Sequence, residues 1–252
     1  MSTESTRKNA AQRHSSQARG IGKGARSSCA EDRSSGSERF VQGLTPREAV
    51  ARQRELAPRV VRTGRPRPRT VCGVDTSIRD EKVHAALCVF SFPALEPLAS
   101  VTVVRPVEFP YVPGLLAFRE LPALLEAYEE LDAEPDLLLV DGHGLAHPRR
   151  FGIACHLGVV LGRPSIGCGK TLLVGEHRDP GPRRGASTAL LHRGELIGRC
   201  LRTRERVKPV YVSIGHRCAL EHATSLVLAC ASRYRLPEPI RAADHLAGCS
   251  PS

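Results

Sequence analysis

The sequence has no Cys-x-x-Cys pair, no apolar run long enough to cross a membrane, and no hydrophobic segment behind its charged N-terminus. The first absence matters because nine cysteines are present, at 29, 72, 88, 155, 168, 200, 218, 230 and 249, mostly in apolar runs. Their spacing argues against a zinc knuckle or a disulfide framework and predicts reduced core thiols in a cytoplasmic protein. The other absences argue against a membrane protein and a secretory leader. There is no internal repeat. "IGCGKTLL" is not a phosphate-cradling loop, because the first glycine of GxxxxGK would fall on Arg163 or Pro164.

Acidic charge is scarce in one region only. The 252 residues carry a net charge of +11, yet residues 1–69 hold 16 Lys/Arg against 6 Asp/Glu, and the remainder is nearly balanced. The basic excess therefore belongs to a tail. Residues 1–43 are rich in Ser, Arg, Gly and Lys and almost devoid of aromatics, so a disordered basic extension is expected there. It is either a solvated arm or a non-specific grip on phosphate backbone. One domain is expected over 44–245, with a short tail over 246–252. The composition of the whole chain, 41% hydrophobic and 25% charged, is that of a globular protein.

Within the domain, Thr45, Pro46 and Glu48 predict a capped helix that ends before Pro58. "TVCGVDT", "VHAALCVFSF" and "LASVTVVRPVEF" predict three strands in an antiparallel meander, the first ending at Asp75. Leu121, Leu124, Leu125, Tyr128 and Leu131 share one helical face. "DLLLVD" predicts a strand, and "HPRRFGIACHLGVVL" a helix opening near Pro148. "PSIG", "ELIGRCLRT" and "PVYVSIG" predict further strands, and "CALEHATSLVLACASRY" a helix. The order implies a mixed α/β sheet covered by helices.

The chemistry gathers at strand ends. Asp75 and Asp141 each close an apolar strand, and two such carboxylates suit Mg²⁺. Either alone is equally a turn former. Gly142 and Gly144 allow backbone to approach a ligand. His143 and His147 read as acid/base groups, hydrogen-bond donors or ligands, or as loop histidines with a structural bond. Arg149 and Arg150, read as a helix's first turn, are exposed or face an anion. "FPYVPG" is a stiff loop whose Tyr111 either packs on the core or projects as a wedge between bases. Glu120 follows as a third carboxylate, while Lys170 and His216 sit after strands.

"GVDTS", "PYVPGLLAFRE", "DGHGLAHPRRFGIACHLGVV", "IGCGK", "VSIGHR" and "YRLPEPIRAAD" occur in the order and approximate spacing of the endonuclease V family, over about residues 45–245, and the chain resembles it. The resemblance implies a ribonuclease H-like fold and a Mg²⁺-dependent phosphodiesterase, with Mn²⁺ as a substitute. It implies action on inosine-containing DNA, with single-stranded DNA or RNA as further substrates, and cleavage at the second phosphodiester bond 3′ to the inosine. By matching position, Asp75 and Asp141 would bind metal, Glu120 would be the third essential carboxylate, and Lys170 and His216 would flank the scissile phosphate. Tyr111 would be the wedge, and Gly114, Leu116, Gly142, His147 and Ile153 would line the pocket for extruded hypoxanthine. "GCGKT" departs from the family's usual alanine before and lysine after the reactive lysine. A DNA-repair monomer is expected. Competing classes are a non-catalytic nucleic-acid binder of this fold and an inosine-specific endoribonuclease.

Overall fold

The computed structural model describes residues 43–132 and 134–249, so the expectation for the basic tail lies outside the described residues except at Gly43. Eight strands form one mixed sheet: β1 Thr70–Arg79, β2 Lys82–Ser91, β3 Pro97–Pro106, β4 Leu137–Val140, β5 Ser165–Gly169, β6 Ser187–His192, β7 Glu195–Leu201 and β8 Val210–His216. Their order is β3-β2-β1-β4-β5-β8-β7-β6. β4 lies parallel to β1 and β5, and the other pairs are antiparallel. The fold is the expected α/β class, a ribonuclease H-like mixed sheet flanked by helices.

β4 explains its own composition. Leu138 and Val140 join the core beneath α2 (Leu116–Glu129) and α3 (Ile153–Leu161). Leu137 and Leu139 face the opposite core, shared with α4 (Leu220–Cys230) and Ile240 of α5 (Glu238–Gly248). A central parallel strand buried on both faces must be apolar throughout. Helix α1 (Pro46–Leu56) has the expected capping box, with Thr45 and Glu48 bonded reciprocally, and stops before Pro58.

The structure corrects several local expectations. β1 does not end at Asp75. Past Val74 it leaves β4 but stays paired with β2 as far as Arg79. The HPRR segment is a turn, so α3 begins at Ile153 behind Gly152 rather than near Pro148. β6 and α5 were not anticipated as elements, and α5 runs to Gly248, past position 245.

The extra length of β1 holds α5 in place. Ser77 Oγ donates to Ala247 O at 2.6 Å, and Arg79 donates to the carbonyls of Ala247, Gly248 and Cys249. A cation on the last carbonyls of a helix is favourable. At the other end of α5, Gly73 lets the helix approach β1, because a Cβ there would lie 2.0 Å from Pro239 O. Gly73→Ala is therefore expected to destabilise the protein by about 3 kcal/mol, read as a lower urea midpoint at an unchanged slope. An unchanged midpoint would contradict this account of the contact between strand and helix.

Candidate functional site

The parallel ladder between β1 and β4 runs out at Val74 and Val140, and there two aspartates emerge side by side. Asp141 N donates to Val74 O at 2.8 Å, and Thr76 N donates to Asp75 Oδ1 at 2.8 Å. Helix α5 brings Asp244 to the same point. One carboxylate oxygen from each of Asp75, Asp141 and Asp244 lies within 4.8 Å of the others. Lys170, the residue after β5, faces all three, with Nζ 2.5 Å from Asp141, 2.5 Å from Asp244 and 3.7 Å from Asp75.

Burial and like charge dominate the electrostatics. Burial first, and then repulsion from Asp141, push the Asp75 carboxyl up to about 8, against the pull of Lys170. Burial also raises Asp141, while Lys170 opposes the rise. Glu120, buried on α2, is pushed up to about 7 by burial, and a hydrogen bond with the Thr76 side chain opposes this. Asp141 Oδ2 is within ion-pair distance of Lys170 but has no well-directed hydrogen bond. Three converging hard oxygens, held around one ammonium, fit a small divalent cation.

A cavity of about 290 Å³ opens directly beside Asp141. Its walls include Tyr111, Gly114, Leu116, Gly142, His147 and Ile153, together with Gln53. The five residues singled out in the sequence for a pocket, and the wedge residue Tyr111, thus line one space. Tyr111 projects at its mouth and is 70% exposed. Gly142, at φ 154°, passes so close to Ile153 that a Cβ would lie 2.7 Å from its methyl group.

Three site expectations need revision. His216 is not brought to the carboxylates. It pairs with Ser165, which pairs with Leu138, three residues short of Asp141. That places it on the order of 10 Å back along the strands and about 10 Å across two of them. Its Nδ1 accepts from Val61 N at 3.2 Å, a structural bond. Arg149 and Arg150 are not on a helix. Arg149 bonds Gln53 and the Gly114 carbonyl, and Arg150 bonds Glu195 and two backbone carbonyls. Asp244 was missed altogether. Its only sequence signals were the string "PEPIRAAD" and Gly73, a glycine inside a buried strand that marks close backbone approach.

A sequence profile described as Endonuclease V matches residues 54–245. The chain belongs to the endonuclease V family. Endonuclease V from Roseiflexus sp. (strain RS-1) is 55% identical over 201 residues, covering 79% of this chain and 90% of its own. The crystal structure of Endonuclease V from Streptomyces avermitilis is 46% identical, with a TM-score of 0.79 over 81% of this chain and 92% of that one. Endonuclease V from Ciona intestinalis, in complex with a 23mer DNA containing an inosine followed by a ribo-adenosine, is 26% identical, with a TM-score of 0.71 over 81% and 97%. Endonuclease V relatives mark this chain as a nuclease. No helix among the described residues is long and apolar enough to cross a membrane.

The raised Asp75 carboxyl has a consequence for stability. The folded chain holds a proton there that the unfolded chain releases near 3.8, the ordinary value for an aspartate. Its contribution is therefore present at low pH and lost as pH rises through about 8. Without divalent metal, wild type should lose urea stability relative to Asp75→Asn between about pH 4 and 8. Parallel curves over that window would show that Asp75 is not protonated near neutrality.

Proposed function

We propose that this chain is a Mg²⁺-dependent DNA-repair endonuclease, with Mn²⁺ able to substitute, that recognises deoxyinosine and cleaves the second phosphodiester bond on its 3′ side. The observation that carries this reading is the continuity of a base-sized cavity with a cluster of three aspartates, both meeting at Asp141. Asp75, Asp141 and Asp244 would hold the cation, which when bound supplies Lewis acidity and a more acidic water. Glu120, held near 7, can take up or release a proton close to neutral pH. The Lys170 ammonium, already among the carboxylates, is in reach to contact a phosphate oxygen there and offset its charge.

The remaining residues select the base. Extruding a base costs a few kcal/mol and is cheapest where pairing is weak, as for inosine. Tyr111, on its stiff proline-flanked loop, fills the gap left in the stack. Hypoxanthine lacks guanine's exocyclic amino group, so close walls at that edge exclude guanine. The cavity lies beside the cluster rather than on it, which suits strand cleavage away from the flipped nucleotide without excision of the base. A monomer acting in the cytoplasm fits the unpaired cysteines of the described residues. RNA is the second reading, favoured by the ribonucleotide that follows inosine in the Ciona complex.

The test is a nicking assay on inosine-containing DNA, undamaged DNA and inosine-containing RNA with Mg²⁺. Asp141→Asn and Asp244→Asn should each lower kcat/KM by on the order of 10³ while retaining binding to inosine DNA. His216→Gln should cost less than about tenfold. Near-normal turnover in Asp141→Asn, or a loss in His216→Gln as large as that in Asp244→Asn, would sink this assignment of roles. Faster cleavage of the RNA than of the DNA would favour the second reading.

A further inference from the structure

We propose that Gln53 is a specificity-positioning residue that ties the two walls of the base cavity together through the Gly114 carbonyl. The inference rests on the cavity accepting an extruded base and adds the device that sets its width. Gln53 lies on α1, immediately ahead of the 54–245 stretch that matches the family profile. The other buried residues of that helix are Ala49 and Leu56, and Gln53 is only 1% exposed among them. A buried amide is costly unless its donors and acceptor are used.

They are used on both walls. Gln53 Nε2 donates to Gly114 O at 3.1 Å, at the end of the wedge loop, and to Phe151 O at 3.1 Å, in the turn before α3. Its Oε1 accepts from Arg149 Nε at 2.5 Å. Arg149 Nη2 in turn donates to Gly114 O at 2.6 Å. His147 completes the arrangement. Its Nδ1 accepts from Arg149 N at 3.2 Å, so its proton sits on Nε2, which donates to Gly114 O at 3.0 Å. Burial lowers His147 to about 4, which keeps it in that neutral form.

Three donors therefore converge on one carbonyl that has two lone pairs. The carbonyl belongs to a glycine at φ 79°, where a Cβ would lie 2.7 Å from Arg149 Nη2. Both ring nitrogens of His147 are spent on this joint, which leaves none to read a base. Selection then depends on where the walls stand. A site held to within about 0.5 Å discriminates, and one left looser does not.

Gln53→Met keeps the length of the side chain and removes every hydrogen bond. Arg149→Met removes a second donor to the same carbonyl. Steady-state cleavage of oligonucleotides carrying inosine or adenine at one position is measured for wild type, both single variants and the double. Each single variant should lose at least about tenfold in preference for inosine, mainly through KM for the inosine strand, with kcat within about threefold. Mn²⁺ binding should be unchanged. The double variant should lose less than the product of the single losses, because both act on one carbonyl. If Gln53→Met does not fold, Arg149→Met decides: a loss of preference supports the clamp, and retained preference overturns it. Retained preference in a folded Gln53→Met, or strictly multiplicative losses, also overturns it. Wild-type protein that cleaves without preferring inosine overturns the reading of the cavity and the clamp with it.

Discussion

The structure depends on bringing three carboxylates into contact around a single ammonium at the point where the β1–β4 ladder ends. Asp75 and Asp141 are largely buried this close together, and burial first and then their mutual repulsion raise the Asp75 carboxyl, a direct trace of that cost. The fold offsets it with rigid placement. Val74 and Val140 fix the two strands that carry Asp75 and Asp141. Gly73 removes a side chain so that α5 can lie against β1, and Ser77 and Arg79 grip the far end of that helix. Asp244 is delivered by these contacts, on residues that alternate along the same strand as Asp75.

The cavity is built on a different principle. It needs little charge and a fixed width. Its walls come from the wedge loop and from the segment between β4 and α3, closed by the first residues of α2 and α3, Leu116 and Ile153. The rigidity comes from outside, through α1 and through the His147–Arg149 turn, which converge on one backbone carbonyl. The carboxylates and Lys170 thus stand on strands and helices or one residue past a strand end, while the wedge and the glycine walls stand on loops braced by a helix.

Much of this was legible in the sequence. The capping box, the meander, the fully apolar β4 and the cavity residues follow from local patterns or from quoted motifs. What stayed hidden depends on distant parts of the chain. Asp244 sits on a helix whose partner is a glycine 171 residues earlier, and no local pattern records that pairing. The adjacent arginines look like a phosphate site because their partners, Gln53 and Glu195, are far away in sequence. His216 stands at a strand end, as the functional groups do, but on a strand running the other way, so that its end lies at the wrong level of the sheet. Motif order alone does not carry strand direction.

The central claim is that Asp75, Asp141 and Asp244 form one cation site. Diffraction from crystals soaked in Mn²⁺, recorded at the manganese absorption edge, tests it most directly. The account predicts an anomalous peak in contact with carboxylate oxygens of all three aspartates, weakened or absent in Asp244→Asn. A peak that omits Asp244, or one bound instead at His216, would contradict it.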